Sequence, residues 1–173
     1  PSINLQGDFN TYKPDEPIPA SLYGLLPQLK WFGGSACVPI AYTNTLAGMA
    51  KWYETPELLI NGKDQHTSLL QTFRDLAEKM YTSSDGTSSQ DGLSGYNQYL
   101  EAQGLNNKFS ASNSFISNDN FNLFSELISA FARGPVIFID SYKGGGGHAL
   151  TGVKLEFDDR NNNMIIDKGE AYA

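Results

Sequence analysis

"GGSACVPIAYTNTLAGMAKWY", residues 33–53, holds the only cysteine of the chain. Val38, Tyr42, Leu46, Met49 and Tyr53 recur every three or four residues, with Trp52 beside them, the spacing that gathers side chains on one face of an α-helix. Ser35 stands where a helix cap belongs, and Pro39 falls in the first turn, where a missing N–H costs little. Cys37 is therefore expected at a helix N-terminus. In that position the helix dipole and its unpaired amides favour thiolate over thiol, and the same amides can hold an oxyanion formed by attack on a carbonyl. A lone cysteine is more often a small buried hydrophobe, so its meaning depends on what else the chain supplies.

Working outward, residues 66–81, "HTSLLQTFRDLAEKMY", place Leu69, Leu70, Phe73, Leu76, Ala77 and Met80 on one helical face. The Ser/Gly/Asp stretch 82–92 reads as a loop. Shorter helices are expected over 93–103 and 120–134, the second closed by Gly134. The texture then turns to β: "PVIFIDSY" (135–142) is an apolar branched run, "HALTGVKLEF" (148–157) alternates, and "MIID" (164–167) reads as a strand returning after a turn at 158–163. Helices first and an antiparallel sheet second make the expected class α+β. Residues 1–30 carry five of the eight prolines and are expected as an extended arm on a single domain spanning 31–173.

With 173 residues, the chain can build one ordinary core, and no apolar run approaches the roughly 20 residues of a membrane span. The formal charge of -7, with no cluster of Lys or Arg, argues against nucleic acid or an anionic membrane as partner. One cysteine allows no disulfide within the chain. The chain starts at Pro1 without a charged, apolar leader, as a processed mature chain or an excised piece would, and its Ser, Asn, Gly and Tyr content suggests a secreted or periplasmic protein.

A nucleophilic thiol needs an imidazole, and there are two histidines. His66 stands ahead of a helix with no notable neighbours. His148 follows "KGGGG" (143–147) at the head of a strand, where glycines let substrate or backbone come close. Asp167, on the returning strand, is the leading group to orient His148, with Asp140 and Asp158 next in line.

These segments, with "DGTSSQDGLSGYNQYLEAQG" between them, resemble a papain-like cysteine peptidase of the compact bacterial type, close to the C39-like peptidases, over about residues 28–167. The resemblance implies a papain-like fold, with a central helix opened by the cysteine and a C-terminal antiparallel sheet carrying histidine and aspartate. It further implies Cys37 as nucleophile, His148 as base, Asp167 as orienting residue and Gln28 as the side-chain donor of an oxyanion hole. Gln28 lies nine residues before Cys37, farther than the family's usual spacing, and Val38 replaces the family's frequent glycine after the cysteine. The expected activity is hydrolysis of peptide or isopeptide bonds in a peptide or protein substrate, with no cofactor required.

Two motifs compete for attention. "KGGGG" is not a phosphate loop, because the lysine precedes the glycines and a strand follows; it reads as a loop lining a cleft. "DRNNNMIIDKGE" (159–170) sets Asp159, Asn161, Asn163, Asp167 and Glu170 at calcium-loop ligand positions, with Ile166 at the apolar position and Met164 where glycine belongs. Calcium would claim Asp167 from the triad. The alternatives to a hydrolase are accordingly a calcium-binding extracellular adhesion module with an inactive papain-like fold, or a transglutaminase-like acyltransferase.

Overall fold

A computed structural model describes residues 2–4, 36–113, 122–141, 146–152, 154–156, 160, 161 and 163. The elements, in order, are β1 (Ser2–Asn4), α1 (Cys37–Trp52), a single 3₁₀ turn (Pro56–Leu58), α2 (Gln65–Lys79), α3 (Ser89–Ala102), α4 (Asn122–Phe131), β2 (Val136–Ser141), β3 (Gly147–Gly152) and β4 (Lys154–Glu156). Strands β2 and β3 form one antiparallel pair, and β1 and β4 form another. The architecture is α+β.

Helix α1 is enclosed. Six consecutive residues, Ala41 to Leu46, are buried, and successive side chains on a helix point about 100° apart. Protein therefore covers every side of its middle turns, whereas the apolar spacing in the sequence suggested one buried face. Tyr53, the last member of that spacing, caps the helix and is exposed, as is Trp52. The enclosed polar groups need partners: the Thr43 hydroxyl donates to the Pro39 carbonyl at 2.7 Å, while Thr45 Oγ1 has none among the described residues.

Helices α2 and α3 pack on α1 and on each other. Asp64 caps α2, its carboxylate accepting from Thr67 N–H at 2.7 Å. Ser88 caps α3, accepting from Asp91 N–H at 3.0 Å while its hydroxyl donates to the Asp91 carboxylate at 2.6 Å. The α3 helix thus begins inside the stretch that the sequence suggested was loop. Glycine content pointed to a turn there, but Gly92 and Gly95 serve close approach. A Cβ at 92 would lie 2.9 Å from Val38 Cγ1, and one at 95 would lie 2.7 Å from the Met80 backbone nitrogen. The conformational cost of about 1 kcal/mol per helical glycine is set against burial of Tyr96, Tyr99 and Leu100 in the shared core. Tyr42 and Tyr96 meet there with ring centroids 4.9 Å apart. The Tyr99 hydroxyl donates to the Leu58 carbonyl at 2.9 Å, tying the 3₁₀ turn to α3.

The first three helices end in one way. The second residue past the cap returns its N–H to the last turn: Thr55 to Ala50 at 2.9 Å, Thr82 to Ala77 at 3.0 Å, and Leu105 to Leu100 at 2.8 Å. Each closure requires a left-handed residue just before, and these are Glu54, Tyr81 and Gly104, with φ of 50°, 51° and 69°. Only the third is glycine. Tyr81 is 74% exposed, so its side chain gives little packing in return for the strained backbone. Tyr81→Gly is expected to raise unfolding stability by on the order of 0.5 kcal/mol, read as a higher urea midpoint at unchanged slope.

Burial raises the pKa of Tyr42 and of Tyr99 to about 12, and that of Tyr96 further still, from the ordinary 10.0. Folding keeps these phenols protonated after the unfolded chain has begun to ionise, so their contribution to stability is intact below pH 10 and falls as pH rises towards 12. Phenolate absorbance and loss of helical circular dichroism are expected to rise together in that window; buried phenols ionising while the helices persist would contradict this.

Candidate active site

Cys37 is the first residue of α1, and Ala36, not Ser35, occupies the cap. Alanine offers no side-chain acceptor, so no capping hydrogen bond covers the first turn. Ile40 N–H already bonds the Ala36 carbonyl at 3.1 Å, and Pro39 has no N–H. Among the described residues the amides of Cys37 and Val38 have no hydrogen-bond partner, and the half-buried thiol beside them packs against the core. The Val38 amide did not figure in the sequence reading; the absence of any capping side chain at Ala36 was its signal.

Strands β2 and β3 pair residue for residue, from Val136 opposite Gly152 to Ser141 opposite Gly147. Alternation divides the hairpin into two faces. Ile137, Ile139 and Ala149 belong to the core that surrounds α1, and Thr151 Oγ1 donates to the Ala41 carbonyl at 2.9 Å. That bond fixes β3 against α1 one helical turn beyond Cys37. Phe138, Leu150, Asp140 and His148 lie on the other face. A Cβ at Gly152 would come within 2.5 Å of the Phe138 ring and 2.9 Å of the Phe131 ring, so glycine there admits the contact of these aromatics, whose centroids are 6.3 Å apart.

His148 is half-buried and second in β3. No hydrogen bond joins it to Cys37 among the described residues. Ala149 takes the face towards α1, so alternation places His148 on the opposite face, beside the glycine-bounded start of the strand at Gly146 (φ 80°) and Gly147. The helix carrying the thiol and the hairpin carrying the imidazole are thus joined. Gln28, Asp167 and Asp158 lie outside the described residues, as do Lys143–Gly145. His66 is the second residue of α2, inside the helix and not ahead of it, since the cap is Asp64.

Of the calcium-loop candidates, Asn161 and Asn163 are described, both exposed, with Asn163 N–H donating to Asn161 Oδ1 at 3.1 Å in a local turn. Asp159, Asp167 and Glu170 lie outside. Among the described residues no three His, Cys, Asp or Glu side chains converge on a metal position, and no helix is long and apolar enough to cross a membrane.

Comparison with protein-family models, with curated proteins and with solved structures finds no match to this chain.

Thr151 anchors the hairpin to α1, so Thr151→Val, which keeps shape and removes the donor, is expected to cost about 1 kcal/mol. Denaturant unfolding measures it, and an unchanged midpoint would show that the hydrogen bond contributes nothing net.

Proposed function

We propose that the chain is a papain-like thiol hydrolase acting on peptide or isopeptide bonds. The observation that carries this reading is the joining of two elements: the enclosed helix begins with the only cysteine, and the hairpin bearing His148 is hydrogen-bonded to that helix one turn later.

In the proposed reaction His148 takes the Cys37 proton, and the thiolate sulfur forms a bond to the substrate carbonyl carbon. The carbonyl π-electrons move to oxygen, giving an oxyanion held by the Cys37 amide, with Val38 N–H adjacent and the Gln28 side chain as a further donor. Collapse of this intermediate breaks the C–N bond as the imidazolium gives its proton to the departing amine, leaving a thioester. Water, deprotonated by His148, attacks the thioester through a second oxyanion, and the thiolate leaves. Thiol and imidazole are regenerated, and no cofactor is consumed. An amine in place of water would make the same chemistry an acyl transfer, so product analysis with added amine separates hydrolase from transglutaminase-like enzyme.

The test is the pH dependence of Cys37 alkylation by iodoacetamide in the native chain and in His148→Ala. Alkylation is expected to stay fast below neutral pH and to slow at least tenfold in the variant, the mark of a thiolate–imidazolium pair. Alkylation that rises only near the ordinary thiol pKa of about 8.5, indifferent to the substitution, would refute the mechanism.

A further inference from the structure

The outer face of the β2–β3 hairpin carries a relation that the chain's order hides. Asp140 and His148 are direct cross-strand partners. Residues so opposed have Cβ atoms about 4.5–5.5 Å apart and send their side chains to the same side of the sheet. We propose that Asp140, and not Asp167, is the carboxylate that positions the His148 imidazole. The assignment rests on the thiol-hydrolase reading for its role in catalysis, though the pairing itself can be tested without it.

Three features favour Asp140. It is the only charged side chain in β2, and it ends an otherwise apolar run, a setting in which strands are depleted of aspartate. His148 is the only titratable group in β3 and is half-buried while Asp140 is exposed, so the carboxylate is free to turn towards the ring. One step along the same face, Phe138 and Leu150 oppose each other, 38% and 42% exposed, and partly shield the pair from water, which strengthens a charge-assisted hydrogen bond. The two side chains are not in ion-pair contact in the structure, and their pairing requires the exposed aspartate to turn about its own side-chain bonds.

Among the described residues, the helices packed against the hairpin bring few charged groups to it. Helix α1, on the opposite side of the hairpin, carries Cys37, Tyr42 and Lys51, of which only Cys37 stands at the helix start. Helix α4 meets the hairpin through Phe131, at the Phe138 and Gly152 end; its Glu126 is exposed, and Arg133 beyond it is engaged with Ser129. With one ring N–H given to Asp140, the other ring nitrogen is left to face around the glycine end of the strand. The carboxylate thereby selects a tautomer and an orientation without touching substrate, so Asp140 acts as a positioning residue.

The test follows the imidazole ring nitrogens of His148 by NMR of the full chain, the signal assigned by loss in His148→Ala, in native protein, Asp140→Asn, Asp140→Glu and Asp167→Asn. Loss of the carboxylate acceptor is expected to change the ring-nitrogen tautomer signature of His148 in Asp140→Asn, with recovery in Asp140→Glu and no change in Asp167→Asn. The acid limb of the Cys37 alkylation profile is expected to move with it. An unchanged ring signature in Asp140→Asn, or an equal change in Asp167→Asn, overturns the assignment. Should Cys37 prove an ordinary thiol, the hydrolase reading fails alone, because the His148 ring signature reports the pairing independently of the thiol.

Discussion

Enclosure of α1 is the constraint from which the rest of the structure follows. A helix covered on every side cannot rely on one apolar stripe; it needs small or self-satisfied residues wherever a neighbour comes near. Ala41, Gly48 and Ala50 supply the small positions, and Thr43 returns its hydroxyl to its own backbone. The neighbours adapt in turn. Gly92 lets α3 meet Val38, and Thr151 spends its hydroxyl on the α1 carbonyl, bringing the hairpin onto the same helix. The covering loosens at the two ends, at the half-buried thiol of Cys37 and at the exposed Lys51 and Trp52.

Much of this was legible in the sequence, and the misreadings have physical causes. The long periodic segments at 37–52 and 65–79 declared themselves, because apolar spacing reports burial whatever the partner. The start of α3 did not: Ser88, Gln90, Asp91 and Gly92 are turn formers by composition, and only the cap formed by Ser88 and Asp91, with close packing at Gly92, makes them helical. The segment 148–157 read as one strand because alternation continues through it, whereas pairing changes partner near residue 153, from β2 to β1. No local signal in Ser2–Asn4 announces that exchange.

The candidate site was legible in its residue types more than in its geometry. Cys37 at a helix start and His148 at a strand start could both be found from spacing and glycine punctuation. Which face of the strand His148 occupies depends on which neighbours are buried, and that was fixed by Ala149 and Thr151 contacting α1. The opposition of Asp140 and His148 likewise depends on the register of the hairpin, which the glycine-rich sequence between its strands does not fix by itself.

The pairing of β1 with β4 has a consequence in time. Ile3 stands opposite Leu155, so this ladder joins stretches far apart along the chain, and the entropy of closing so long a loop must be met before any of its hydrogen bonds form. The contacts among α1, α2 and α3 are between sequence neighbours and carry no such delay. As the chain leaves the ribosome, the helix bearing the thiol can collapse with its neighbours while the hairpin bearing the imidazole has yet to be made. Cys37 is thus synthesised well before His148, and the helix that carries the thiol can be packed before the hairpin that carries the imidazole exists.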